Sequence, residues 1–272
     1  MCILFPTVCT EEIIMKKLRK IRIIFFVIAA IWIASFISFT IYSKQEHLKH
    51  FYDVALEKAK EMVAKDKLLR RFISDVGGVY APVSDKVQPN PYLNLPDKNI
   101  ETKDGRTLTL LNPDYFTRLY YKHSNIENKH TKVSLVSLDS IKKANMPNDW
   151  ERKALLKVKE SNQAFVEIIN KNNTSVFRYM SPLIMSENCM KCHGNSDIFA
   201  GTNNYKLGEI AGGLVVTLDY KPYLSLASSE LKKAFIPVFV FFLAGIIIFF
   251  VSYKMIKKLT IEIIESGNKY MS

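Results

Sequence analysis

Two charge-free apolar segments constrain this chain more than any other feature of its sequence. Ile23–Tyr42 and Ala234–Tyr253 each run for 20 residues without a charged side chain, and 17 of the 20 are apolar. A helix of this length crosses the roughly 30 Å hydrocarbon core of a bilayer. A helix buried in a soluble core rarely runs so far without a polar face. The sequence therefore predicts two transmembrane helices flanking one extended polar segment.

Basic residues flank the outer ends of both segments. They are Lys16, Lys17, Arg19, Lys20 and Arg22 before the first, and Lys254, Lys257, Lys258 and Lys269 after the second. By the positive-inside rule, both ends are cytoplasmic. We therefore expect a two-span membrane protein with a cytoplasmic tail (1–22), spans at 23–42 and 234–253, an extracytoplasmic domain (43–233) and a cytoplasmic end (254–272).

The first span has two alternative interpretations. A cleaved signal peptide would need small residues at its cleavage site, and Tyr42-Ser43-Lys44 is a poor one. We therefore favour an uncleaved anchor. Translation from Met15 would give a more natural basic start, and Cys2 and Cys9 would then be absent from the protein.

The outer segment begins with a predicted long helix from Lys44 to about Asp75, which contains no Gly or Pro. Its apolar residues recur in steps of three and four, with Asp66 the one polar member of the seam. The seam consists of Leu48, Tyr52, Ala55, Ala59, Met62, Leu69 and Ile73. Such a narrow seam is typical of helices that pair, so it suggests a homodimer. Gly77-Gly78 is the expected end of the helix.

Short strands and helices are predicted in the rest of the outer segment. Alternating patterns predict strands at Arg106–Leu111, Lys132–Ser137, Ala164–Ile169, Ser175–Met180 and Ile210–Leu218. Helices are predicted at Tyr115–Lys122, Trp150–Glu160 and Tyr220–Lys233, and a proline-rich loop at Ala81–Asn99. Trp150 and Glu151 are interpreted as packing and capping residues. The fold class is therefore α+β, one domain with an antiparallel sheet and a long N-terminal helix.

Charge and motif content limit the function. The net charge of +12 divides into +7 in the outer domain and +5 in the cytoplasmic flanks. A membrane protein with a lysine-rich surface explains this balance, so no nucleic-acid partner is inferred. The chain contains no paired carboxylates at catalytic spacing, no Ser-His-Asp arrangement and no phosphate loop. We therefore expect a protein that is not an enzyme.

The segment Cys189-Met190-Lys191-Cys192-His193 carries the chemistry. Two thiols on one turn, followed by an imidazole, are the pattern of c-type haem attachment. The location agrees, because such attachment takes place outside the cytoplasm. A structural zinc site would need two further ligands, and no second Cys or His pair is present. A thioredoxin-like redox pair or a simple disulfide fits the surroundings less well.

The chain resembles the extracytoplasmic PAS-like single-haem sensor domains. Those domains stand at the N-terminus of bacterial histidine kinases, cyclic-dinucleotide enzymes and chemoreceptors. The resemblance covers roughly Leu48–Tyr220. The segments that carry it, besides the haem motif, are Asn112–Arg118 (Asn-Pro-x-x-x-Thr-Arg), Asn145–Glu151 (Asn-x-Pro-x-x-Trp-Glu), Arg178–Leu183 and Gly208–Gly213. The lead-in Lys142-Lys143-Ala144-Asn145 departs from the usual pattern of the family.

The resemblance implies one covalently attached haem c, with thioether bonds to Cys189 and Cys192 and His193 as the proximal iron ligand. The sixth position varies in the family. Met62 is the candidate distal ligand here, although a Met at helical spacing more often fills space in a core. Water or an open position that admits a diatomic gas is the second alternative. The remaining candidates for the sixth ligand are His123, His130 and Met146.

Three arginines are candidates for contacts with the haem propionates. Arg matches a carboxylate bidentately, which makes Arg70, Arg71 and Arg118 suitable. A solvated helix face is the alternative for each of them.

Two functions fit these predictions best, and a haem peroxidase, which needs an open iron and a distal acid–base group such as His123 or His130, is a third interpretation. The first is a membrane-anchored haem sensor, of redox state or a diatomic gas, that relays a signal through the second span. Only Lys254–Ser272 follows that span, which resembles the start of a HAMP-type linker and leaves no room for an output domain. A truncated receptor or a separate signalling partner is therefore expected. The alternative is a membrane-anchored mono-haem cytochrome that transfers electrons to a redox partner.

Overall fold

Long helices occupy both ends of the chain in the computed structural model, which describes residues 6–139, 146–171, 174–193 and 205–269. The elements are α1 (Pro6–Asp75), β1 (Val79–Pro82), β2 (Asn99–Glu101), β3 (Thr107–Leu111), α2 (Pro113–Glu127), β4 (Thr131–Val136), α3 (Asp149–Ser161), β5 (Phe165–Lys171), β6 (Thr174–Ile184), α4 (Glu187–His193), β7 (Ile210–Asp219) and α5 (Lys221–Lys269). The chain divides into two units. One is Tyr52–Leu224, and the other comprises the described parts of Met1–Phe51 and Ser225–Ser272.

The unit formed by the chain ends pairs the two predicted membrane segments. Aromatic rings join the helices along their length: Phe25 lies 4.9 Å from Phe249, and Phe36 stacks on Phe242 at 4.2 Å. Gly245 permits close approach, because a Cβ there would meet the Trp32 ring at 2.8 Å. Helices Glu12–Asp75 and Lys221–Gly267 are long and apolar enough to cross a membrane, judged by length and composition. Cys2 lies outside the described residues.

Two antiparallel sheets form the framework of the other unit. The larger has the strand order β4-β7-β6-β5, and the smaller has the order β1-β3-β2. The strands predicted at Ala164–Ile169 and Ser175–Met180 correspond to β5 and β6, which pair with Phe165 opposite Met180 and Ile169 opposite Val176. The strands predicted at Lys132–Ser137 and Ile210–Leu218 correspond to β4 and β7, which pair with each other. The α+β fold class is confirmed.

Helices cover both faces of the larger sheet. Phe177, Leu214 and Val216 pack against Ala55 and Ala59 of α1 and against Tyr121 of α2. Their neighbours Met180 and Val215 point to the opposite face and pack against Leu155 and Val158 of α3. This division follows from the two-residue period of a strand, which sends successive side chains to opposite faces.

Helix-capping interactions set the end of α1 and the starts of α2 and α3. Gly77 has a φ of +81°, and the Gly78 N–H donates to the Ile73 carbonyl at 2.8 Å, as in a Schellman motif. The Asn112 side chain accepts from the Tyr115 N–H at 2.9 Å. Asn148 and Glu151 form a reciprocal capping box at the start of α3. The capping role predicted for Glu151 is confirmed.

Three short elements escaped prediction. Strands β1 and β2 border the predicted loop and overlap its ends at Ala81 and Asn99. All three residues of β2 are exposed, so no alternation of apolar and polar residues marks it. Helix α4 spans seven residues, which is too short to show a helical period.

The predicted seam of α1 packs against the chain's own sheet. Ala55, Ala59 and Ile73 are almost completely buried, and Asp66 is 7% exposed. Tyr52, Ala55, Ala59 and Met62 of the seam are therefore covered by strands of the same chain. A homodimer through this helix remains a prediction, and it would need the opposite side, where Leu68 and Phe72 are exposed.

Candidate functional site

The cysteine–histidine motif lies on α4, a short helix directly after β6. The Cys189 N–H donates to the Ser186 carbonyl at 3.0 Å, and this bond begins the helix. Residues four positions apart share a helix face, so Cys189 and His193 belong to one side of α4. The Ser186 Oγ lies 3.2 Å from the Cys189 Sγ. The side chain of Cys192 lies outside the described residues, as do Gly194 and Lys142–Asn145.

A cleft of about 620 Å³ opens beside this helix. Its volume lies within the range of about 300–1,000 Å³ that is usual for small-molecule sites. Cys189 and His193 form one wall, and Arg70 and Arg71 of α1 form another. The remaining lining residues are Lys67, Ser74, Asn112, Pro113, Asp114, Pro182, Leu183, Ile184, Ser186, Glu187 and Asn188. The fold thus brings together residues more than a hundred positions apart.

Arg70 is held by the start of α2. Its Nη1 donates to the Thr117 Oγ1 at 2.7 Å, and its Nη2 lies 3.8 Å from the Asp114 Oδ1. Asp114 also faces Arg118, whose Nε is 3.0 Å from the Asp114 Oδ2. Arg118 does not line the cleft, but it shares this carboxylate with Arg70. Two arginines around one carboxylate leave a net positive charge at this wall.

Burial lowers the pKa of His193. The nearby charge of Arg70 acts in the same direction, whereas the Asp114 carboxylate opposes it. The imidazole is therefore neutral at physiological pH, which is the form that binds a metal ion. Its ring also meets the Tyr205 ring edge to face, with centroids 6.1 Å apart.

Lys67 is a cleft residue that sequence reasoning missed. Its Nζ donates to the Ser181 Oγ at 2.9 Å, which ties α1 to β6. Much of the side chain is exposed, yet partial burial of the ammonium lowers its pKa. The spacing of Lys67, Arg70, Arg71 and Ser74 places four polar residues on one helix face, and this pattern was the available signal.

The other predicted ligands lie elsewhere. Met62 packs against the core between α1 and the sheet and does not line the cleft. It precedes Arg70 by eight residues, or about 12 Å along the helix. His123 and Met146 are exposed, and His130 faces Asp219 at 3.2 Å. Among the described side chains, which exclude Cys192, no three metal-ligand residues come together.

A hydrogen bond connects the motif helix to the end of α1. The Asn188 Nδ2 donates to the Asp75 Oδ1 at 2.6 Å. Asp75 is the last residue of α1, one turn after Arg71. A displacement of α4 would therefore strain or shift the C-terminal turn of α1.

A buried acid–phenol pair lies one helical turn before Arg70. The Tyr121 hydroxyl donates to the Asp66 Oδ1, and Tyr121 and Asp66 are both buried. Burial raises the pKa of Asp66, although the Tyr121 bond and the charges of Arg70 and Lys67 oppose this. The pair joins α1 to α2 beneath the cleft.

Comparisons with known proteins give one family match and one similar solved structure. A family model described as Tll0287-like matches residues 47–218. The crystal structure of the cyanobacterial heme-protein Tll0287 matches 61% of this chain and 94% of that chain, with 15% sequence identity and a TM-score of 0.40. No curated protein matches.

Proposed function

The chain belongs to the Tll0287-like family, and from this premise we propose that it is a membrane-anchored haem c sensor. Cys189 and Cys192 form thioether bonds to one haem, and His193 is the proximal ligand of its iron. The observation that carries this proposal is the position of Cys189 and His193 in one cleft with Arg70 and Arg71. The matching family model carries the name Tll0287, and a solved cyanobacterial protein of that name is described as a heme protein, which supports the same conclusion.

The residues of the cleft suit a haem in three respects. The neutral imidazole of His193 is an iron ligand, and Cys189 supplies a thiol next to it. Leu183, Ile184 and Pro182 offer apolar surface for a macrocycle. Lys67, Arg70 and Arg71 supply positive charge for two propionates, because carboxylates form strong charge-assisted hydrogen bonds with such groups.

A bound haem supplies one-electron chemistry or gas binding at its iron. The protein supplies the rest. Cys189 and Cys192 would hold the haem by thioether bonds, each formed by addition of an S–H across one vinyl group, which would consume no oxidant. Burial keeps His193 neutral, and Arg70 stays oriented by Thr117 and Asp114. Arg118 contributes by holding Asp114 rather than by direct contact.

The sixth iron position remains a choice between Met62 and an open or water-bound site. The position of Met62 in the core, away from the cleft lining, favours the open or water-bound alternative. An open position admits a diatomic gas, which suits a sensor better than an electron carrier.

The connections of the cleft support signal relay. Asn188 joins α4 to the end of α1, and β7 ends at Asp219, two residues before α5 begins. A change at the iron would thus reach both long helices, which we propose cross the cytoplasmic membrane with the haem domain in the periplasm. The same proposal includes a PAS-like relationship of the haem domain and a separate protein that receives the signal.

Absorption spectra of the full chain test the haem site. The protein is produced with c-type maturation factors, and haem is measured before and after denaturation. We expect wild type and the control Cys2→Ser/Cys9→Ser to retain haem on the denatured chain, and Cys189→Ala/Cys192→Ala to lose it. A wild-type chain without haem, or covalent haem in the double alanine variant, would contradict the proposal. An unchanged spectrum in Met62→Ala would remove Met62 as a ligand.

A further inference from the structure

The buried carboxyl group of Asp66 lies near the haem cleft but does not line it. Its Oδ1 accepts a hydrogen bond from the hydroxyl of Tyr121, which is also buried. Its other oxygen, Oδ2, is buried and has no hydrogen-bond partner within the described residues. A proton can therefore be added at Oδ2 while the bond from Tyr121 to Oδ1 is kept.

Two charged residues of the cleft are neighbours of Asp66 on α1. Lys67 follows it directly, and Arg70 follows it by four residues, or about 6 Å along the helix. Burial raises the pKa of Asp66, and the charges of Arg70 and Lys67 lower it. Arg70 also contributes to the lowered pKa of His193, where Asp114 opposes it. The carboxyl group and the proposed iron ligand thus lie within the electrostatic reach of one arginine.

The other elements packed on this part of α1 bring neutral groups to Asp66. Helix α2 contributes the Tyr121 hydroxyl. Strand β6 contributes Tyr179, which is buried and whose hydroxyl interacts with Lys60 and Ser181. Strand β7 presents apolar side chains on this face, namely Leu214, Val216 and Leu218. Among the described residues, the charges that act on Asp66 therefore come from its own helix.

A change of charge in the cleft would act on Asp66 as the charges of Arg70 and Lys67 do. Reduction of an iron held by His193 adds one negative charge to the cleft. Charges in a buried, weakly polar environment are poorly screened, so the added charge disfavours the ionised carboxylate and favours its protonated form. Because such coupling is reciprocal, protonation of Asp66 favours reduction by the same free energy.

From this arrangement we propose that Asp66 takes up a proton from solution when a one-electron reductant reduces the haem iron, and that it releases this proton on oxidation. The electron goes to the iron and the proton to Oδ2 of Asp66. The state of the iron is thereby expressed as the charge of a residue that joins α1 to α2, and reduction depends on pH. This inference rests on the haem site of the proposed function.

The test measures the midpoint potential of the purified, haem-loaded full chain in detergent from pH 4 to pH 9. The absorption spectrum is followed during titration with dithionite and ferricyanide. Asp66→Asn replaces the titrating carboxyl by an amide, whose Oδ1 still accepts from Tyr121. Asp85→Asn is the matched control, because it makes the same change at an exposed residue between β1 and β2.

We expect the midpoint potential of wild type and of Asp85→Asn to fall as the pH rises, because ionised Asp66 disfavours the reduced form. This fall should be lost in Asp66→Asn, whose potential at high pH should lie above that of wild type. Tyr121→Phe removes the hydrogen bond that lowers the pKa of Asp66, so the fall should move to higher pH. Equal pH dependence in wild type and Asp66→Asn would overturn the inference.

Infrared difference spectra of wild type test the same step without a variant. The reduced-minus-oxidised spectrum should contain the carbonyl stretch of a newly protonated carboxyl group, and Asp66→Asn should lack this band. A wild-type spectrum without the band would also overturn the inference. In a haem-loaded chain these failures would leave the haem site standing, whereas a chain without covalent haem would overturn the haem site and the proton uptake together.

Discussion

Single residues around the cleft show how burial sets their chemistry. His193 and Asp66 respond oppositely to burial, because it disfavours the charged form of each: the pKa falls for the imidazole and rises for the carboxyl. The first effect favours the neutral imidazole, the form that can bind a metal ion. The second leaves a carboxyl whose Oδ2 accepts no hydrogen bond within the described residues.

Asp66 makes a testable contribution to pH-dependent stability. Its folded pKa is raised above the unfolded value, so the folded state holds this proton to higher pH than the unfolded state. The contribution of Asp66 to the free energy of unfolding is therefore complete at low pH. This contribution is lost as the pH rises from about 4 through the folded pKa. In Asp66→Asn we expect that loss to disappear, while Oδ1 still accepts from Tyr121.

The measurement is the apparent Tm of the full chain in detergent from pH 4 to pH 8. The Tm of wild type relative to Asp66→Asn should fall as pH rises, by about 2–4 °C for each kcal/mol lost. The exposed control Asp85→Asn should follow wild type. A constant difference between wild type and Asp66→Asn would contradict the burial effect.

At the scale of elements, β7 depends on close contact with β4. A Cβ at Gly212 would lie 2.4 Å from the Val136 carbonyl oxygen, which is backbone and cannot move aside. A Cβ at Gly213 would meet the Met180 side chain at 2.8 Å, and methionine can change rotamer. The Gly-Gly pair that contributes to the family resemblance thus has two different physical roles.

The two glycines predict unequal effects of the same substitution. Gly212→Ala should destabilise the domain by about 1–3 kcal/mol through overpacking, and Gly213→Ala should have a smaller effect. The apparent Tm and the haem content of both variants check this. Equal Tm losses in the two variants would contradict the prediction that the close contact between Gly212 and the Val136 carbonyl makes Gly212 the less tolerant position.

At the scale of the whole molecule, the question is whether the cleft communicates with the long helices. A sensor and an electron carrier can share one haem fold, but they differ in what happens when the iron changes state. Signal relay requires different structures in the two states, whereas rapid electron transfer needs little structural change.

Hydrogen exchange of the haem-loaded chain distinguishes these functions. For a sensor, we expect CO binding or reduction to change amide protection at the end of α1, residues 68–75, and at the start of α5. Asn188→Ala should weaken the change at α1 because it removes the bond to Asp75, and the control Asn128→Ala should not. Unchanged protection in all iron states would favour the electron-transfer cytochrome.

The sequence alone determined the features that depend on local pattern. Charge-free runs, the capping residue Glu151 and strand alternation predicted most of the elements, since each depends on neighbouring residues in the chain. Elements without a local pattern were not predicted. Strand β2 is exposed on all three residues and helix α4 has only seven residues, so neither shows a periodic pattern of apolar residues.

Tertiary structure decided how distant residues combine. The cleft joins Lys67 and Arg70 of α1 with Asp114 of α2 and His193 of α4, and only the packed sheet sets these contacts. The α1 seam illustrates the same limit, because a helical pattern shows that a face will be buried but not by what. In the fold, Tyr52, Ala55, Ala59 and Met62 of this face meet the chain's own strands, and the homodimer remains a prediction.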